Sequence, residues 1–511
     1  MLSVVSSYIF GIEAIEIRVE VNITQGVNFF MVGLPDNAVK ESHHRIYSAF
    51  SESGMTFPHQ AITINLAPAD IKKEGSMFDL PIAAGILASS EQIPSENLEG
   101  YALAGELSLK GELRRIRGVL PMAYQAMSSG KKGLIVPLEN AQDLGLIKDF
   151  EIIPCADLND VVEFFKTGKK KVFERKENEN FSNGFTEGKD FSEVYGLESV
   201  KRAVEIAAAG GHHILLSGPP GSGKSMLCSR IPSILPPMTL EEAIQTSVVY
   251  NVSHQTRKNP FERPFRAPHH TISDVALVGG GSVPRPGEIS LVHNGVLFLD
   301  ELTEFKRSTL EVLRQPLEEK KVLISRSRFQ ISFPADFMLV AGINPCPCGY
   351  LTHPKRTCTC SPGSVEKYLR KLSGPLIDRF DLMIEVLPVD IHEIQFRRKG
   401  ESSREIARRV EECRKIQQER FRGTDTKTNA GMRSRELEKY CALDKQGLHL
   451  LTIAAEKLQL SARAYQKILR VARTIADLDQ RENIRPEHIA EAIQYRSLDE
   501  NRFMAREEAF V

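Results

Sequence analysis

The sequence carries no surplus of charge: 66 Lys and Arg balance 66 Asp and Glu. No global basic field therefore announces a nucleic-acid partner, and any such contact must come from local patches. It has no apolar run of 18 or more residues, which argues against a helical membrane span. Residues 1–10 are mildly apolar but lack a basic leading segment and a small-residue cleavage site, so a signal peptide is not expected. Cysteine is scarce, with eight residues, and four of those fall between Cys346 and Cys360. That crowding reads as a metal site in a reducing compartment rather than a disulfide framework, and the expected location is the cytoplasm. No long internal repeat is present, and low complexity is confined to one linker.

A length of 511 residues allows about three domains. Ile15, Ile17, Val19, Val21 and Ile23 alternate with Glu16, Arg18, Glu20 and Asn22, the period of a half-buried strand. Further strands are expected over 27–34, 61–67 and 133–136. Helices are expected from Asp36 to near Gly54, over 81–89 and over 121–129, with a hairpin turning at Lys110-Gly111. Together these make a mixed α+β domain over 1–165. Residues 166–190 hold Lys169-Lys170-Lys171 and then Glu-, Asn- and Gly-rich sequence, a linker whose lysines are expected to be solvated. Over 191–400 helical and strand patterns alternate, as in a parallel α/β nucleotide-binding domain. Residues 401–511 show Glu, Lys, Arg, Leu and Ala at helical spacing and are expected to form a helical lid.

The apolar run Ile214-Leu215-Leu216 leads into Gly218-Pro219-Pro220-Gly221-Ser222-Gly223-Lys224-Ser225, a complete phosphate loop, with a helix expected over 226–231. Glycines let backbone N–H groups face phosphate oxygens, and a helix N-terminus adds partial positive charge. Lys224 would reach the β- and γ-phosphates of ATP, and Ser225 would meet Mg²⁺. A second apolar strand, Val296-Leu297-Phe298-Leu299, ends in Asp300-Glu301. There Asp300 would hold Mg²⁺ and Glu301 would polarise the attacking water.

The order of these elements resembles the AAA+ ATPases. The strand Phe337–Ile343 ends in Asn344, which matches the first sensor of that family. Leu376-Ile377-Asp378-Arg379-Phe380-Asp381-Leu382 is similar to a segment of the magnesium chelatases and the MCM motors in which the arginine acts on the neighbouring subunit's ATP. The resemblance thus implies that Arg379 is an arginine finger and that the chain assembles as a ring, most simply a homo-hexamer. Ser461-Ala462-Arg463 opens a lid helix and aligns Arg463 with the second sensor, although Arg470 and Arg473 lie on the same helix. Val194-Tyr195-Gly196 lies where the family holds adenine, which implies that Tyr195 and Gly196 line the base.

Four further features fit the magnesium-chelatase branch or stand beside it. The stretch 246–286 is too long for a simple connection and resembles that branch's insert in the second core helix. Residues 322–331 read as a hairpin whose tip carries Arg326 and Arg328. In motors of this branch such tips grip DNA, and basic tips suit a phosphate backbone; the bland alternative is a hairpin with solvated arginines. His269-His270 is expected to be structural or to touch DNA. Cys346, Cys348, Cys358 and Cys360 can complete a tetrahedral Zn²⁺ shell, with redox-active or free thiols and an iron–sulfur cluster as the competing readings.

Residues 105–113 and 136–140 resemble segments flanking the catalytic lysine of Lon-type proteases, and 72–76 resemble the approach to their serine. Here Met77 and Met122 occupy the serine and lysine positions, so neither nucleophile nor base is available. Taken end to end, the chain is similar to the ComM/YifB-type magnesium-chelatase-like AAA+ ATPases. The fold class this implies is α/β: an AAA+ P-loop core with a helical lid, preceded by a Lon-protease-like α+β domain. The implied cofactors are ATP and Mg²⁺, with structural Zn²⁺ at the cysteines. The implied partners are single-stranded and branched DNA and recombination proteins, with no membrane. The implied activity is that of a DNA motor driving branch migration during natural transformation; a protein-remodelling ATPase is the alternative.

Overall fold

The alternating stretch that begins at Glu13 lies inside a seven-stranded sheet. Its strands are β1 (Leu2–Phe10), β2 (Glu13–Thr24), β3 (Phe29–Val32), β4 (Ala61–Ala67), β5 (Tyr101–Leu103), β8 (Gly133–Pro137) and β9 (Glu151–Cys155). Their order is β3-β4-β2-β1-β5-β8-β9. Strands β1 and β2 pair antiparallel along their length, from Leu2 opposite Val21 to Phe10 opposite Glu13, whereas β5, β8 and β9 run parallel. The computed structural model describes residues 2–171, 189–253, 255, 257–281, 284–326, 329–389 and 400–496.

Apolar residues all round the helix Asp79–Ser89 explain why ten of its eleven residues are buried. It packs so closely on the sheet that a β-carbon on Gly85 would meet Val21 Cγ2 at 2.5 Å and Val4 Cγ2 at 3.5 Å. The expected helix after Asp36 is present as Asn37–Lys40 and Ser42–Glu52, with Asp36 accepting from the Val39 N–H at 2.8 Å. The hairpin around Lys110-Gly111 is reduced to β6 (Glu106–Leu107) and β7 (Leu113–Arg114).

The chain divides into two units: Met1–Glu179 with Ile244–Pro260, and Asn180–Ala243 with Phe261–Val511. Within the first, the Asn251 side chain accepts from the Leu120 N–H (3.3 Å) and donates to Asp143 Oδ2 (3.2 Å).

The second unit is built on five parallel strands: β10 (Ile214–Ser217), β11 (Phe265–Arg266), β14 (Val296–Leu299), β17 (Met338–Ile343) and β18 (Leu382–Glu385), in the order β11-β14-β17-β10-β18. Two small antiparallel pairs stand outside that sheet, β12 (Gly279–Gly280) with β13 (Arg285–Pro286), and β15 (Lys321–Arg326) with β16 (Phe329–Pro334). The lid comprises the helices Ser403–Arg420, Ser434–Tyr440, Lys445–Leu458, Ala462–Leu478 and Pro486–Gln494. One apolar core joins sheet and lid, including Leu216, Val296, Ile468, Val471 and Ile475.

Candidate active site

Every residue of β10 is buried, and the strand delivers Gly218 to the C-terminal end of the parallel sheet, where α/β folds bind ligands. The Gly218 N–H donates to the Ile343 carbonyl at 3.1 Å. Gly221 and Gly223 hold φ at +77° and +91°, which a side chain would oppose. The following helix is shorter than the sequence spacing predicts: it covers Lys224–Cys228, and a 3₁₀ turn resumes at Ile231–Ile234. Pro232 has no N–H with which to continue the first helix.

Lys224 is 7% exposed, and its Nζ donates to the Gly218 (2.6 Å) and Pro219 (3.0 Å) carbonyls. Burial lowers its pKa, with the Asp300 carboxylate acting in opposition. Ser225 Oγ donates to Asp300 Oδ2 at 2.5 Å, and Asp300 Oδ1 accepts from the Glu301 N–H at 3.0 Å. Gly342 keeps this space open, since a β-carbon there would stand 2.8 Å from Asp300 Oδ1 and 3.7 Å from Lys224 Cε. The cradle therefore fits a triphosphate and its Mg²⁺: glycines line it, a lysine reaches in, and two oxygen ligands converge.

Glu301 adopts φ +51° and ψ +49°, a left-handed conformation costing a non-glycine residue on the order of 1 kcal/mol or more. Its half-exposed carboxylate stands 4.0 Å from His270 Nδ1. Asn344 follows β17 directly, across from Gly218. Gly196 and Leu197 turn at φ +62° and +60°, and Leu197 Cδ1 lies 3.6 Å from where a Gly223 β-carbon would be. Leu197, directly after Tyr195-Gly196, thus abuts the phosphate loop.

Arg379 and Arg463 are brought together elsewhere. Both line a cleft of about 660 Å³ with Asp378, Glu318 and Lys467, and no residue of 218–225 lines it. Arg379 pairs with Glu318 through Nη2, while its buried Nε has no hydrogen-bond partner among the described residues. Arg470 and Arg473 do other work. Arg470 donates to the Met432 carbonyl at 2.7 Å, and buried Arg473 pairs with Asp477 at 3.0 Å. Of the three arginines on the helix Ala462–Leu478, only Arg463 is exposed.

The four cysteine sulfurs all lie within 4.8 Å of one another. Three separations are 3.3, 3.6 and 3.6 Å, far beyond a disulfide bond. A tetrahedral ion with bonds of about 2.3 Å to sulfur sets neighbouring sulfurs about 3.8 Å apart, so the cluster can hold a metal. The hairpin of β15 and β16 is present with Arg326 opposite Phe329 in its last pair; Arg328 lies outside the described residues.

Comparison with known proteins agrees with this geometry. Residues 190–394 match the family described as magnesium chelatase, subunit ChlI, 19–140 match subunit ChlI of Mg-chelatase, and 400–496 match its C-terminal part. The chain is 44% identical over 493 residues to YifB of Salmonella typhimurium, covering 96% of each chain. It is also 44% identical over 497 residues to the competence protein ComM of Haemophilus influenzae, again covering 96% of each. The chain belongs to the ComM/YifB-type family of magnesium-chelatase-like AAA+ proteins.

AAA+ membership implies ATP and Mg²⁺ as cofactors and ATPase activity. The Lon-like part of this AAA+ chain is also detectable: 125 residues are 34% identical to Lon protease 2 of Bacillus subtilis, covering 24% of this chain and 22% of that one. Met77 is 4% exposed and Met122 fully buried, so both side chains belong to the core of this domain. Ser76 hydrogen-bonds to Glu106. No helix among the described residues is long and apolar enough to cross a membrane.

Two participants escaped sequence reasoning. His270 reaches Glu301 from the insert, and the only signal for it was the His-His pair. Gly342 matters for the atom it lacks, which spacing cannot announce.

Proposed function

We propose that this chain is an ATP-driven DNA motor of the cytoplasm. In this reading it works as a homo-hexamer that moves on single-stranded and branched DNA and drives branch migration as incoming strands are recombined. Lys224 would bind the β- and γ-phosphates, Ser225 and Asp300 would hold Mg²⁺, and Glu301 would draw the proton from the attacking water with Asn344 orienting it. Tyr195 and Gly196 would border the base. Arg379 and Arg463, sharing a cleft that excludes the chain's own phosphate loop, would both act on a neighbouring subunit's nucleotide. Zn²⁺ is the ion best suited to four thiolates.

The observation that carries the DNA reading is the β15–β16 hairpin, which ends at Arg326 and runs directly into the first-sensor strand. A hairpin so placed couples nucleotide state to a basic tip. The 44% identity to a competence protein over 96% of both chains supports the setting. The test is ATP-dependent resolution of a synthetic three-stranded branched DNA, with Glu301→Gln as control. Migration by wild type alone supports the motor.

A second reading, remodelling of a protein partner, is favoured by the match of 190–394 to a magnesium-chelatase subunit. DNA that neither stimulates ATP hydrolysis nor is moved would put that reading first.

A further inference from the structure

The cysteine cluster is not an appendage. It leaves β17 two residues after Asn344 and packs back on the nucleotide site at two separate places.

The first contact is with the phosphate loop. Gly349, directly after Cys348, turns with φ +82° against the ring of Pro220. A β-carbon there would lie 2.9 Å from Pro220 Cγ and closer still to Cδ. Pro220 is the third residue of the loop whose backbone would wrap the phosphates. The Gly349 N–H is held by the Cys346 carbonyl at 2.9 Å, a bond that fixes the turn between the two sulfurs.

The second contact is with the segment following Glu301. The helix Pro362–Leu369 starts two residues after Cys360, and its Val365, Tyr368 and Leu369 pack on Cys346. Thr303 Oγ1, buried two residues past Glu301, donates to Tyr368 Oη at 2.5 Å. Lys371, just beyond the same helix, lies 3.9 Å from Glu304. The helix therefore braces the 3₁₀ turn Leu302–Glu304, into which Glu301 feeds with its left-handed backbone. A conformation of that kind persists only where the surroundings over-determine it.

The geometry points to a metal-dependent ATP site: an ion held by Cys346, Cys348, Cys358 and Cys360 sets the phosphate loop through Gly349–Pro220 and the Glu301 turn through Tyr368–Thr303. The inference rests on the metal reading of the four thiolates. The four cysteines, spaced over 15 residues, share one small apolar cluster with Leu351, Val365, Tyr368 and Leu369. Without an ion, little else fixes so small a cluster, and both braces loosen with it. The two contacts divide the work. Pro220 belongs to binding, so Gly349 governs affinity; Thr303 belongs to the catalytic turn, so Tyr368 governs turnover. Gly349 and Tyr368 are positioning residues, since each acts through another.

The test uses full-length protein, with zinc content, nucleotide affinity and steady-state ATPase measured on each sample. Wild type is expected to hold one zinc per chain. Stripping it with a thiol-reactive mercurial and chelator, then reducing, should weaken ATP binding about tenfold and cut kcat about tenfold, and added Zn²⁺ should restore both. Gly349→Ala should keep its zinc but raise KM for ATP. Tyr368→Phe, which loses one hydroxyl and no packing, should keep its zinc and its KM and lower kcat. Metal-free wild type with full activity overturns the metal reading itself. Zinc that is present, but whose removal leaves both affinity and kcat unchanged, overturns the coupling and leaves the metal reading standing. Should Gly349→Ala fail to fold, Tyr368→Phe together with zinc removal decides: unchanged kcat in both overturns the inference.

Discussion

Ser225 Oγ and Asp300 Oδ2 are 75 residues apart in sequence and 2.5 Å apart in space. One sits at the start of the helix after the phosphate loop, the other directly past the end of β14, two strands away from β10. Strand β17 lies between β10 and β14, and Gly342 on it supplies no side chain to keep the two oxygens apart. The oxygens that pair here are those that a bound Mg²⁺ would take, so the metal-binding arrangement is largely built into the packing of the sheet. Little reorganisation remains to be driven by the nucleotide.

Glu301 is expected to carry the proton-transfer step. Glu301→Gln preserves shape and hydrogen-bonding capacity but removes the base, and general-base catalysis is worth about 10²–10⁴ in rate. The variant should bind ATP with near wild-type affinity and lose hydrolysis by that factor. Brisk turnover in a phosphate-release assay would remove Glu301 from its role and direct attention to His270, 4.0 Å away.

Arg379 and Arg463 should behave as residues that serve a neighbour. Arg379→Ala should leave ATP binding intact and reduce kcat by about 10³–10⁵, the range of arginine fingers. Mixed with Lys224→Ala protein, it should regain activity, because one protomer contributes an intact phosphate loop and the other an intact arginine. Arg463→Ala should complement in the same way. If the mixtures hydrolyse ATP no faster than the separate variants, the arginines do not act in trans.

Much of this site was legible because phosphate chemistry forces residue types into a short window. The glycines, Lys224 and Ser225 must be contiguous, and Asp300-Glu301 must end a buried strand. What linear spacing hid was contact between distant segments. His270 on the insert meets Glu301, and Gly349 meets Pro220 only once the chain has folded back 129 residues along. The strand β1 was read as merely apolar, yet it lies in the interior of the seven-stranded sheet, because burial on both faces erases the alternation that marks an exposed strand. The helix after the phosphate loop is expected over 226–231 but ends at Cys228, and Arg463, aligned with the second sensor by resemblance, is exposed while Arg470 and Arg473 are held by lid hydrogen bonds.

The hairpin predicts a salt-dependent phenotype. If Arg326 and Arg328 contact phosphates, Arg326→Ala with Arg328→Ala should weaken single-stranded DNA binding across all sequences. It should also reduce the slope of log K against log salt by about 1.4, from about 0.7 per phosphate on single strands. Basal ATPase without DNA should not change. Unaltered affinity in a fluorescence-anisotropy titration would make the hairpin structural.

His213 supplies a pH prediction that is independent of catalysis. It is the residue before β10, and its Nδ1 accepts the Leu339 N–H at 3.0 Å, so it belongs to the joint between β10 and β17. Burial pulls its pKa from 6.5 down to about 4, outweighing the attraction of nearby Asp381, while Lys467 and His212 push the same way as burial. The unfolded chain thus takes up a proton below pH 6.5 that the folded chain refuses until about pH 4. Folding stability contributed by neutral His213 is complete above pH 6.5 and is lost as pH falls through that window. The loss is on the order of 3 kcal/mol at most. His293, also buried and lowered to about 4, adds a loss of the same sign. His213→Asn can still offer a carbonyl oxygen to Leu339 but cannot be protonated. Its melting temperature should fall less steeply than that of wild type between pH 6.5 and 4.5. Parallel curves for the two proteins would mean that His213 is not what ties this sheet to neutral pH.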